Sequence, residues 1–219
     1  MTMALQRQPR LISIEGGEGA GKSTVLSALR DALLADGEEV VSTREPGGTP
    51  LSERIRELLL GGGGEPVHAQ TELLLMFASR AQHVREVVLP ALERGAWVIS
   101  DRFTDSSYAY QGAGRGLDED FIAALEQQVV GIEPGLTLLL DLGVAHGRER
   151  TRGRDLLGGN APDRIERERD EFFERVRGCF LDRATRHPER IRVIDASPDA
   201  ATVAAAAVAA LAEHRRVQR

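Results

Sequence analysis

The chain has one cysteine, Cys179, in 219 residues. A lone cysteine excludes an intrachain disulfide, and a reducing compartment is expected. Cys179 falls among apolar residues of an expected helix and reads as a packed thiol. No charged leader followed by an apolar run opens the sequence, because Met1 to Arg10 is polar. The alanine-rich run Thr202 to Ala212 is too short and too weakly apolar to span a bilayer. The histidines (His68, His83, His146, His187 and His214) show no metal-ligand spacing. A net charge of −6 argues against general nucleic-acid binding. Internal repeats and linker-like stretches are also missing. The expectation is a soluble, cytoplasmic protein of one domain, residues 1–219, with neither membrane nor nucleic acid as a partner.

Lysine is as scarce as cysteine: Lys22 is the only one, and every other basic side chain is arginine. It lies in Gly16-Gly17-Glu18-Gly19-Ala20-Gly21-Lys22-Ser23, which fits the phosphate-cradling pattern G-x-x-x-x-G-K-[ST]. A short apolar run, Leu11 to Ile14, precedes it, and helical sequence from Ser23 to about Ala35 follows. Glycines let successive backbone N–H groups face phosphate oxygens, and the helix N-terminus adds partial positive charge. A slim ammonium fits inside such a loop where a planar guanidinium does not. Lys22 suits the terminal phosphates, and Ser23 suits Mg2+. A second lysine would be needed for the guanine-selecting Asn-Lys-x-Asp of GTPase switches, so that class is disfavoured.

Further strands are expected at Glu39–Thr43, Ala96–Ser100, Leu136–Leu140 and Arg190–Ile194. Helices are expected at 51–60, at 71–94 with a kink at Pro90, at 118–130 with Asp118 as cap, at 164–186 and at 198–214. Gly61 to Gly64 reads as a flexible break, and the arginine- and glycine-rich stretch Gly143 to Pro162 as a mobile segment. Strands alternating with helices give an α/β fold with a parallel sheet covered on both faces.

Two strands end in acid, at Asp101 and Asp141. A carboxylate near metal or nucleophile belongs at the carboxyl edge of such a sheet. Asp101 is favoured because Arg102, a phosphate-binding base, follows it; Asp141 reads better as a cap or a structural acid. Arg44-Glu45-Pro46-Gly47-Gly48 follows the second strand, where a guanidinium can fork onto phosphate or simply sit in a turn. Phe77 taken alone is a core ring, but with Arg80 three residues on it can hold a nucleobase. Arg148, Arg150, Arg152 and Arg154 alternate in the mobile segment. Gly19 offers no cation, so charge for a phosphoryl-transfer transition state must come from elsewhere, and a movable arginine lid supplies it.

Taken together, Ile14 to Ser23, Thr43-Arg44-Glu45-Pro46-Gly47-Gly48-Thr49, Phe77-Ala78-Ser79-Arg80, Asp101-Arg102-Phe103, Tyr108 to Gly116, Asp163-Arg164-Ile165-Glu166 and Ile194 to Ser197 resemble the bacterial thymidylate kinases, among the P-loop nucleoside monophosphate kinases. The resemblance covers nearly the whole chain. It implies a three-layer P-loop NTPase fold, with a five-stranded parallel sheet flanked by helices and a mobile lid at about 143–165. It also implies transfer of the γ-phosphoryl of ATP to dTMP, with Mg2+, on the route to dTTP. ATP would meet Gly16, Gly17, Glu18, Gly19, Ala20, Gly21, Lys22, Ser23, Thr24, Arg150, Arg152 and Ala196. The acceptor would meet Glu18, Arg44, Pro46, Phe77, Arg80, Arg102, Ser107, Tyr110 and Gln111. Of these, Phe77 would stack on thymine, Tyr110 would crowd the sugar 2′ position, and Arg44 and Arg102 would hold the phosphate. Lys22, Asp101, Arg102, Arg150 and Arg152 would be catalytic, with Ser23 and Asp101 reaching Mg2+ directly or through water. Family members are usually homodimers packed through helices. The rivals are another nucleoside monophosphate kinase and a nucleotide-binding regulator without turnover.

Overall fold

The computed structural model describes residues 5–61, 65–158 and 163–217, with side chains at all of these except 153–158. Five strands form one parallel sheet: β1 (Gln6–Gly16), β2 (Val40–Arg44), β3 (Trp97–Asp101), β4 (Ile132–Asp141) and β5 (Ile191–Asp195), in the order β2-β3-β1-β4-β5. Alternation along each strand sorts the apolar residues to two faces. Leu11, Val98 and Leu139 face one core, which holds Phe77, Phe103, Val176 and Phe180. Ile12, Ile14, Ile99, Leu138 and Leu140 face the other, closed by helices α1 (Lys22–Ala35) and α9 (Ala200–Val217). The α/β class and the five-stranded parallel sheet agree with the sequence reading. No described helix is long and apolar enough to cross a membrane.

Register places the chemistry on one edge. Ile14 of β1 and Arg44 of β2 both lie opposite Asp101 of β3. Gly16 lies opposite Leu140 of β4, whose next residue, Asp141, ends the strand. The carboxyl ends of three strands therefore converge where the glycine loop leaves β1.

Several elements depart from expectation. β1 and β4 are longer than the apolar runs suggest; their ladder shifts register between Gln8 and Ile12, around Pro9, which has no N–H to donate. The long helix begins at Ala69 (α3, Ala69–His83) and passes through a π-turn, Val84–Val88, into α4 (Leu89–Glu93). The π-turn absorbs the missing donor and bulky ring of Pro90 in place of a simple kink. The segment from Gly143, expected as a mobile stretch with no helix assigned to it, is helical as α7 (Val144–Gly158). Arginine, glutamate and leucine favour helix there despite its three glycines. Residues 159–162 of the expected lid and 62–64 of the glycine break lie outside the described residues. Finally, the helix expected from Arg164 starts only at Asp170 (α8, Asp170–Arg186), because Asp163 closes a turn by accepting from the Ile165 and Glu166 N–H groups.

Candidate active site

Gly21, with φ of 90°, caps α1, and the loop before it is anchored by Ala20, buried in the core with α1 and α9. Lys22 Nζ folds back onto its own loop, donating to Gly17 O at 2.9 Å and Gly16 O at 3.3 Å. Burial, aided by nearby Arg102, pushes its pKa down to about 8. The ammonium is thus short of counter-charge, as suits a group awaiting phosphate. Helix α7 sits directly on this loop. A Cβ on Gly19 would lie 2.5 Å from Gly147 O, and a Cβ on Gly147 would lie 2.5 Å from Glu18 O, so only glycine at both positions permits the contact.

The loop borders a cavity of about 480 Å³ to which Glu18, Gly19, Gly21, Lys22 and Ser23 contribute one wall. Asp101 and Arg102 contribute another. Arg102 has φ of 73°, a left-handed conformation uncommon for a side chain of this size. Its N–H is held by Ile14 O at 3.0 Å, and Ser100 Oγ donates to its carbonyl at 2.7 Å. The guanidinium lies 4.8 Å from the centre of the Tyr110 ring and donates to the Tyr110 hydroxyl, to Gly16 O and to Ser106 Oγ. Beneath it, buried Glu15 accepts from the Phe103 N–H at 2.7 Å and Ser106 Oγ at 2.6 Å. Burial and Asp105 raise the Glu15 pKa to about 7. Glu18 is likewise raised to about 7, chiefly by burial and then by Glu166.

Deeper in, residues expected on the acceptor side form a buried polar lattice. Arg80 Nε donates to Glu45 Oε2 at 2.6 Å, Nη1 to Ser107 Oγ and Nη2 to Phe103 O. His83 Nδ1 lies 2.9 Å from the other Glu45 oxygen. Burial alone would raise the Glu45 pKa, but Arg80 and His83 outweigh it and hold the carboxyl below the usual range. Pro46, Tyr110 and Gln111 reach the cavity wall. Phe77 does not: its ring is buried in the core and covered by Arg80, 4.8 Å from its centre. Ser107 is turned toward Arg80, and its neighbour Ser106 lines the cavity instead. Arg44 lies outside the wall, exposed and forked onto Glu53 at 2.9 and 3.0 Å.

The arginines of the expected lid separate clearly. Arg150 lines the cavity and donates to Ala196 O at 2.9 Å, Ser197 O at 3.1 Å and Gly19 O at 3.4 Å, joining α7 to the glycine loop and the turn after β5. Arg152 is exposed and away from the wall. Arg148 pairs with Asp170 and covers Phe173. The side chain of Arg154 lies outside the described residues. Asp141 is held by Arg177 through two hydrogen bonds, at 2.7 and 3.0 Å, in keeping with a structural acid.

The model for the thymidylate kinase family matches residues 14–206. The chain belongs to the thymidylate kinase family. Curated thymidylate kinases with similar sequences include that of Alkalilimnicola ehrlichii, 54% identical over 93% of this chain and 92% of its own length, and that of Chromohalobacter salexigens, 53% identical over 93% and 95%. The crystal structure of thymidylate kinase from Ehrlichia chaffeensis superposes with a TM-score of 0.73 at 32% identity, covering 92% of this chain and 97% of that one.

Several cavity residues of this thymidylate kinase family member escaped the sequence reading: Glu45, Arg56, Ser106, Asp163 and Glu166. Arg56 is the most informative. It sits on helix α2 (Pro50–Leu60), donates to Pro46 O at 3.0 Å, and has its pKa lowered by burial and by Arg44. Its only sequence signal was its place beside Ile55 in the buried stripe of an amphipathic helix. Asp163 and Glu166 were visible only as parts of a family motif.

Proposed function

We propose that this cavity transfers the γ-phosphoryl of ATP to dTMP, giving dTDP and ADP, with the division of labour that follows. The observation that carries the reading is that one cavity is lined both by the glycine loop with Lys22, read as the donor side, and by Arg102, Tyr110 and Gln111, read as the acceptor side. An acceptor phosphate monoester already carries its nucleophilic oxygen, so no strong general base is required. The task is to bring two polyanions together and to meet charge on the transferring group.

Lys22 leaves its backbone carbonyls for the ATP phosphates and regains full charge there. Arg102, locked by Tyr110, Gly16 and Ser106, holds the acceptor phosphate in line. Arg56 stands beside it as a second cation, and Arg44 joins after releasing Glu53. Arg150 carries positive charge from the lid to the transferring group, and Ala196 borders the adenine. Asp101 Oδ1 is buried with no hydrogen-bond partner among the described residues, and Asp101 lines the cavity with Ser23. That pair fits Mg2+, which takes few protein ligands and keeps phosphate oxygens and water as the rest. When bound, Mg2+ neutralises charge on the phosphates.

The enzyme works as one domain whose lid spans about 143–165, in the cytoplasm and as a homodimer. Exposed Leu51 and Leu58 on α2, Leu74 on α3 and Phe121 on α6 (Glu119–Leu125) support a helix-lined contact. Cys179, the one cysteine of the chain, is buried and free, which suits a reducing compartment. ADP release measured with dTMP, dUMP, UMP, CMP and GMP tests the substrate: dTMP should lead, and a clear preference for a base other than thymine would overturn the reading.

A further inference from the structure

We propose that Glu72, on α3 and outside the substrate contacts, is a positioning residue for base selection: it fixes the Gln111 amide so that the carbonyl oxygen is the group offered to the acceptor base. This rests on reading the cavity as the dTMP site. Glu72 is fully buried, and both its carboxylate oxygens are occupied. Oε1 accepts from Gln111 Nε2 at 2.8 Å, and Oε2 accepts from Arg164 Nη2 at 2.7 Å and Arg115 Nε at 3.2 Å. The carboxylate is held between two guanidiniums, and a carboxylate in that setting only accepts. The Gln111 amide is thereby denied its other orientation, because turning it would set two acceptor oxygens against each other.

Gln111 belongs to the cavity wall, and its Oε1 is buried with no partner among the described residues. The unused half of the amide is therefore an acceptor. Thymine presents a ring N3–H donor, whereas cytosine has an acceptor nitrogen there and an amino group in place of O4. A fixed carbonyl rewards the first and leaves an acceptor facing an acceptor with the second, a mismatch that buried polar sites reject strongly. The same carboxylate holds Arg164, which also donates to Leu59 O at 2.9 Å, so the turn after the lid and the base selector share one anchor.

The test is Glu72→Gln, which keeps the shape and removes the acceptor-only character. With the arginines taking its oxygen, its NH2 faces Gln111, and the Gln111 amide turns to offer a donor to the base. The ratio of kcat/KM for dTMP to that for dCMP should fall by about tenfold or more, with the KM for ATP and the circular dichroism unchanged. An unchanged ratio, or an equal loss on both nucleotides, overturns the proposal. If the variant does not fold, the crystal structure of the wild type with dTMP decides. Gln111 bridging Glu72 and ring N3 supports the proposal, and Gln111 turned away from either refutes it. Wild type inactive on dTMP would refute the substrate reading instead, whatever Glu72 does.

Discussion

Replacing Asp105 with asparagine should cost more stability than any surface change in this chain. Asp105 sits in helix α5 (Thr104–Ser107), just after Arg102, and is 1% exposed. Its Oδ1 accepts from Arg183 Nε at 2.6 Å and Arg190 Nη2 at 2.9 Å, and its Oδ2 from Arg190 Nη1 at 2.7 Å. Both guanidiniums are themselves buried, and Arg183 lies 3.7 Å from the centre of the Tyr108 ring. Asparagine preserves the shape and one acceptor oxygen but leaves two buried cations with no carboxylate between them. Breaking a buried pair costs about 3–5 kcal/mol, and the retained oxygen argues for the lower end. At about 2–4 °C per kcal/mol for a domain of this size, Tm should drop by roughly 6–12 °C at pH 7. Acidity gives an independent check. Burial alone would raise the Asp105 pKa, but Arg183 and Arg190 outweigh it and hold it far below the usual 3.8. Its stabilisation is therefore complete above 3.8 and is lost as the pH falls through the depressed folded value, so the gap between wild type and variant should narrow there. Thermal and urea unfolding from neutral to acid pH measure both effects. The reasoning would be refuted by a Tm within about 1 °C of wild type at pH 7, or by a gap that does not shrink in acid. A triple variant, Asp105→Leu with Arg183→Met and Arg190→Met, should recover much of the loss, since removing all three charges leaves none unpaired.

Two further outcomes follow from the donor side. With Lys22 at about 8, affinity for a non-hydrolysable ATP analogue should weaken as the pH rises past that value, approaching tenfold per unit. Lys22→Met should lose both this limb and turnover, and calorimetry showing the same limb in the variant would reassign it. Arg150→Ala should lower kcat by about 10²–10³-fold with little change in the KM for dTMP, while exposed Arg152→Ala should do far less. Steady-state kinetics giving the reverse order would move the lid charge to Arg152.

The glycine loop was legible because its residue pattern is local: backbone freedom, a slim cation and a following helix need only neighbours in sequence. The strands were legible as apolar runs, and their alternation with helices gave the parallel sheet. Asp101-Arg102 was legible because it ends such a run. Helix α7 was not legible because its decisive contact, Gly147 against Glu18 and Gly19, is a backbone approach that leaves no apolar stripe to recognise. Arg44 and Arg56 show the same limit. Sequence singled out the arginine beside a proline-glycine turn, and the fold brings the one on the amphipathic helix to the cavity wall.

By itself, then, the sequence determined that a glycine loop with the pattern of a phosphate cradle lies at Gly16–Ser23, that a parallel sheet presents its carboxyl edge there, and that every basic side chain other than Lys22 is arginine, since one lysine is all the chain has. Local spacing and composition suffice for those. Only the tertiary structure decided the strand order, which arginines face the cavity, and how Glu72, Gln111 and Arg164 meet. These depend on groups 39 and 92 positions apart being buried together, where a buried carboxylate must find every donor it needs.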